Sequence, residues 1–203
     1  MEIFRSTLLL IGLITPFVWA APRQVIILRH GEKQAEDSKN LGELYEGLST
    51  KGYERAAALS QYVPSHFGLP DFIFATQPGH TYPSFRPIMT CAPLAYNVRT
   101  KIARNDTHPD QLFNLGYSNQ EVKDLAEELL SNPLYEGKNI VICWDHHRIN
   151  DLAEGLGVDA TQLNKWPNEV FDVTYKITFD NKVATLEKVP QKLMYGDRDT
   201  VSF

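Results

Sequence analysis

The sequence predicts a three-layer α/β/α domain, with helices packed on both faces of a mainly parallel sheet. Three observations carry that expectation. Short segments dominated by apolar residues recur at residues 25–28, 71–76 and 139–144, the composition of strands buried on both faces. Between them lie stretches whose apolar residues repeat at helical spacing. Near the end, residues 173–179 and 183–189 flank Asp180-Asn181-Lys182, which reads as a hairpin at a sheet edge. Strands alternating with helices give right-handed parallel crossovers.

In chain order, the run Val25-Ile26-Ile27-Leu28 is the first strand and leaves the sheet at Arg29-His30-Gly31. The stretch 32–47 is polar and irregular. A helix capped by Ser49 or Thr50 follows to about Tyr62, where Pro64 is expected to stop it. Residues 71–76 form the second strand, and the Pro- and Gly-containing stretch 77–84 a loop. Arg86-Pro87 opens a second helix to about Tyr96, since a proline in the first turn gives up no hydrogen bond. Lys101-Ile102-Ala103 is read as a short third strand. Ser118-Asn119-Gln120-Glu121 is a capping box before Val122, Leu125, Ala126, Leu129 and Leu130 at helical spacing, and Pro133 closes that helix. Residues 139–144 are a buried strand ending in Asp145-His146-His147, and a helix from Ile149 to Leu156 ends at Gly157. The tail after Pro190 is polar and is expected to be loose.

With 203 residues, 43 % of them hydrophobic, the chain can bury the core of a single domain. Its formal charge of −5 is interspersed, which argues against a nucleic-acid partner. Cys91 and Cys143 make no disulfide framework and are expected as buried thiols. Residues 7–19 are nearly all apolar, follow Arg5 and end at Val18-Trp19-Ala20, where the small residue suits a signal peptidase. Gly12 and Pro16 break this run, and it is short for a membrane span. The expectation is a signal peptide over residues 1–20 and a mature domain over 21–203, periplasmic or secreted, with no stable membrane insertion after cleavage.

A parallel sheet presents the carboxyl ends of its strands on one side, where ligands bind. Arg29-His30, Arg86 and His146 each follow a strand or its outgoing loop, so the topology brings them to one site. Arginine's planar fork and a helix start both suit phosphate, and Gly31 beside His30 leaves room for it. A metal site from His146, His147 and His80 or His108 is not expected, because the H-x-x-x-H and C-x-x-C spacings are missing. Trp144 and Trp166 read as core or pocket wall.

Four segments together resemble the histidine phosphatase superfamily, with its phosphoglycerate-mutase-like fold. Arg29-His30-Gly31 matches its RHG motif. Leu48-Ser49-Thr50-Lys51-Gly52-Tyr53-Glu54-Arg55-Ala56 is similar to its L-S-x-x-G-x-x-R-A segment. The stretch from Arg86 to Ala95 resembles the helix carrying its second arginine. Val141-Ile142-Cys143-Trp144-Asp145-His146, with the later Trp166-Pro167 and Val170-Phe171-Asp172-Val173, resembles the strand of its second histidine in a variant with Trp and an acidic residue before it. The resemblance implies that His30 is the nucleophile and that Arg29, Arg86 and His146 surround the phosphoryl oxygens. It implies that Gly31, Glu32 and Lys33 lie against the substrate, a small phosphorylated compound, and that no metal or other cofactor is required. Asp145 is the candidate proton donor, with Asp106 and Glu32 as alternatives. Acid-phosphatase relatives follow the second histidine with Asp, and here His147 stands there. The implied function is an exported phosphomonoester hydrolase using a phosphohistidine. The alternatives are a non-catalytic phospho-ligand binder of the same fold and, behind it, a phosphomutase.

Overall fold

The computed structural model describes residues 20–34, 46–102 and 112–203. The apolar run 7–19, Asp106 and His108 lie outside the described residues.

Six strands form one sheet. They are β1 (Gln24–Arg29), β2 (Phe72–Ala75), β3 (Phe113–Asn114), β4 (Asn139–Trp144), β5 (Val173–Asp180) and β6 (Val183–Pro190). Their spatial order is β3-β2-β4-β1-β5-β6. The first four run parallel, while β5 lies antiparallel to β1 and carries the β5–β6 hairpin at the edge. Every residue of β1, β2 and β4 is buried, as their continuous apolar composition requires. The hairpin turn puts Asn181 and Lys182 in the left-handed region, at φ 47° and 70°, the pairing that matches strand twist.

Alternation along the strands splits the core in two. Ile26, Leu28, Ile73, Val141 and Cys143 face α1 (Thr50–Phe67) and α2 (Arg86–Ile102), meeting Leu59, Val63, Cys91, Leu94 and Val98. Val25, Ile27, Ile140, Ile142 and Trp144 face α3 (Val122–Ser131) and α4 (His146–Gly155), meeting Leu125, Leu129, Ile149 and Leu152. This is the expected three-layer α/β/α architecture with a mainly parallel sheet. Cys91 and Cys143 are buried free thiols, as expected. Among the described residues no helix is long and apolar enough to cross a membrane.

Five local expectations are corrected. Pro64 does not stop α1, which runs on to Phe67. A proline inside a helix strips the carbonyl four residues back of its partner. Here that carbonyl, of Ser60, accepts the side-chain N–H of Asn97 from α2, so the break is mended from outside. Next, α2 continues past Tyr96 to Ile102, because Val98 still faces the core and no breaker follows Pro93. Lys101 and Ile102 are thus its last residues, and the third parallel strand is Phe113–Asn114 against β2. The helix α4 starts three residues earlier than its apolar spacing suggests, at His146, with Asp145 as N-cap. Lastly, the tail is not loose: Gln191 is buried, and Val201 and Phe203 pack on the core.

Candidate active site

The register Arg29↔Trp144 between β1 and β4 brings the two strand ends side by side at the carboxyl edge. The amide of His30 donates to the Trp144 carbonyl at 3.2 Å, so the residues after each strand, His30 and Asp145, emerge together. Sequence-distant groups therefore meet here for the topological reason expected.

His30 is 3 % exposed, and its Nδ1 lies 2.7 Å from the Gly31 carbonyl oxygen. A carbonyl only accepts, so Nδ1 carries the proton and Nε2 the lone pair. Burial lowers the ring's pKa to about 3; the Gly31 bond opposes this, and the charges of Arg29 and Arg86 add to it. His30 is a neutral imidazole with one free nitrogen at ordinary pH.

Arg29, 2 % exposed, has its Nη1 surrounded by the carbonyls of Pro167, Asn168 and Val170 at 3.2, 2.8 and 2.7 Å. Its guanidinium carbon stands 3.7 Å from the centroid of the Phe171 ring. Burial lowers its pKa to about 10, against the pull of Asp145, so it stays a cation at neutral pH. Its Nε is buried and makes no hydrogen bond among the described residues. A buried donor in that state is what an anion site offers.

Arg86 begins α2, its amide donating to the Ser84 hydroxyl oxygen at 3.3 Å and its guanidinium lying 3.5 Å from Glu46. One turn on, the Thr90 hydroxyl donates to the Arg86 carbonyl at 2.7 Å and accepts the Gly31 amide at 2.9 Å. Thr90 thereby fastens the loop after His30 to the helix that carries Arg86.

Asp145 and His146 form a pair, with Nδ1 of the ring 2.9 Å from Oδ1 of the carboxylate. Nε2 of His146 lies 2.9 Å from the amide oxygen of Asn168. Both ring nitrogens of His146 are thus held, one by a carboxylate and one by an amide. His147 stacks on it at 3.9 Å between ring centroids and is exposed, so His146 is the histidine turned into the site. Burial raises the Asp145 pKa, but the His146 bond and the neighbouring histidines outweigh it and bring it to about 2. The structure places this candidate proton donor against His146 and at the N-cap of α4.

Gly31, Glu32 and Lys33 have local tasks. A Cβ on Gly31 would come 2.8 Å from the Gly52 carbonyl oxygen, so the loop needs glycine to lie against α1. The Glu32 carboxylate sits in the fork of Arg55, with Nε at 3.1 and 3.0 Å and Nη2 at 2.7 Å, and Lys51 is 3.7 Å away. Lys33 is exposed and pairs through its backbone with Leu48.

Asp145, His146 and His147 offer ligand atoms within 4.8 Å of one another, and His80 is not among them. The His146 Nδ1 and the Asp145 carboxylate are already spent on each other. Trp144 and Trp166 are core residues, bonding the carbonyls of Asn119 and Val170 through their indole N–H groups. Sequence reasoning missed Thr90, Asn168 and Phe171 as site residues. Thr90 lies one helical turn after Arg86, a spacing that could have flagged it. The others sit in loops without a periodic signal.

No protein-family model matches the chain, and no curated protein matches it. Solved structures do. One is named for the phosphohistidine phosphatase SixA from Agrobacterium tumefaciens; it is 13 % identical, with 84 % of this chain and 98 % of that chain covered at a TM-score of 0.53. Another is mycobacterial hydrolase 1, 15 % identical over 85 % of this chain and 99 % of that chain at a TM-score of 0.51. These likenesses show the fold, which is the phosphoglycerate-mutase-like one that the motifs imply.

Proposed function

We propose that the chain is a phosphomonoesterase of the histidine phosphatase superfamily, acting through a phosphohistidine on His30 and exported by a cleaved N-terminal signal. The single observation that carries this reading is the state of His30: a buried, neutral ring whose Nδ1 is fixed on Gly31, leaving Nε2 beside two arginines. The name of the SixA structure supports a phosphatase of this fold.

In the proposed reaction Nε2 attacks phosphorus in line. The N–P bond forms as the ester P–O bond breaks. Positive charge then appears on the ring and is shared with the Gly31 carbonyl through Nδ1–H. Arg29 and Arg86 meet the charge on the equatorial oxygens, which supplies most of the stabilisation. His146, with Asp145 holding its Nδ1, delivers the Nε2 proton to the leaving oxygen and the alcohol departs. Water then attacks phosphorus and gives a proton back to His146. The N–P bond breaks, inorganic phosphate leaves and His30 returns to its neutral form. A pure binder would have no use for a desolvated nucleophile, and this favours the enzyme over the binding reading.

The test is a screen of the purified protein against phosphorylated sugars, nucleotides, inositol phosphates and p-nitrophenyl phosphate, with and without EDTA. Turnover that survives chelation supports the proposal. Its absence on every ester, or its abolition by EDTA with recovery on a divalent metal, overturns it. Mass spectrometry of protein recovered from periplasm or medium tests export and should find an N-terminus near Ala21. Recovery of full-length cytosolic protein alone rejects that part.

A further inference from the structure

The walls of the site are tied together from behind by the end of the chain. Asp197 accepts Arg55 Nη1 and Nη2 at 2.9 and 2.7 Å, together with the amides of Leu193 and Met194 at 2.9 and 3.1 Å. Arg55 is 1 % exposed and spends its remaining donors on Glu32 and on Gln191 at 3.0 Å. Glu32 directly follows Gly31, the residue on which the His30 ring rests. The next residue of the tail reaches the opposite way. Arg198 gives its amide and its Nε to the Asp172 carboxylate at 2.6 and 2.8 Å, and the Gln191 amide donates to the Asp172 carbonyl at 2.8 Å. Asp172 follows Phe171 and ends the loop whose carbonyls hold Arg29 and whose Asn168 meets His146.

We infer that the C-terminal segment is a clamp on the site, with Asp197 positioning the nucleophile through Arg55–Glu32 and Arg198 positioning Arg29 and His146 through Asp172. Two adjacent residues on one short segment thus set the separation of the nucleophile from the groups that receive the phosphoryl charge. A buried ion cluster is a poor source of net stability, since desolvation offsets most of its attraction. It is a good source of fixed geometry, because each carboxylate has one place to sit. Small displacements of reacting groups cost much more in rate than in stability.

Only the kinetic arm of the test rests on the phosphatase reading. In the full chain, Asp197→Asn and Arg198→Ala are compared with Asp197→Glu and with Asp199→Asn, which removes an exposed pair to Lys192. With p-nitrophenyl phosphate, the first two should lower kcat by about ten- to a hundredfold with KM little changed. Asp197→Glu should recover part of the loss, and Asp199→Asn should match the wild type. Nitrogen-15 spectra of the imidazoles give a readout independent of turnover: the His30 resonances should move in Asp197→Asn and those of His146 in Arg198→Ala. Folded variants with wild-type kcat and unmoved ring resonances overturn the clamp. If Asp197→Asn does not fold, Arg198→Ala decides, since it removes only a partly exposed side chain. A wild type that hydrolyses no ester defeats the phosphatase reading, and the ring resonances alone then judge the clamp.

Discussion

The Nδ1 atom of His30 lies 2.7 Å from the carbonyl oxygen of Gly31, its own chain neighbour. This one bond selects the tautomer and commits Nε2 to the site. It also provides an acceptor for the charge that a phosphorylated ring would carry. Gly31 can present that carbonyl because its missing Cβ lets the loop rest on Gly52 while Thr90 holds its amide.

The ring's lowered pKa has a consequence for stability. His30 falls from the usual 6.5 to about 3 on folding, so between those values the unfolded chain binds a proton that the folded chain refuses. Stability must therefore rise with pH across that window and be lost as pH falls through it. Asp145, lowered from 3.8 to about 2, acts in the same direction further down: its contribution is present above 3.8 and lost as pH falls through about 2. Thermal melts of His30→Asn should show a shallower dependence on pH between about 6.5 and 4 than the wild type. Equal slopes would contradict the burial of a neutral ring.

Arg29 is expected to tolerate lysine poorly. Its guanidinium is held by three carbonyls and the Phe171 face, and an ammonium cannot meet those and a phosphoryl oxygen together. Steady-state kinetics of Arg29→Lys and Arg86→Ala should each show kcat/KM lowered by roughly ten- to a hundredfold for every charge-assisted bond lost. Arg29→Lys with wild-type kinetics would mean that charge alone is needed at that position.

Gly52 is under the tighter backbone constraint of the two facing glycines. A Cβ there would lie 2.4 Å from the Glu32 carbonyl oxygen, a backbone atom that cannot swing aside. Gly52→Ala should cost about 1–3 kcal/mol in unfolding free energy, as overpacking does, and reduce turnover by shifting the loop after His30. Denaturant melts and p-nitrophenyl phosphate kinetics measure the two effects, and a variant unchanged in both would show that the contact is slack.

The fold was legible where composition alone decides. The strands β1 and β4 are continuous apolar runs because both faces are covered, and the hairpin announced itself through Asn181 and Lys182. The meeting of the residues after β1 and β4 was legible because a parallel sheet collects whatever follows its strands on one edge. What could not be read depends on partners distant in sequence. Pro64 is tolerated only because Asn97 reaches the freed Ser60 carbonyl from another helix. The tail looked loose because the pairing of Asp197 with Arg55, and of Arg198 with Asp172, leaves no periodic trace in the sequence. The bond of Asp145 to His146 and its place as the α4 cap likewise leave no trace in the spacing of residues.

The central claim is that His30 itself becomes phosphorylated, and trapping the intermediate tests it most directly. Phosphoramidates break down in acid, so turnover of a radiolabelled phosphomonoester should be quenched in alkali and the labelled peptide sequenced. The account predicts label on His30 through Nε2, and none in His30→Ala, whose turnover should fall to background. Label on Ser, Asp or another histidine, or full activity in His30→Ala, would contradict it.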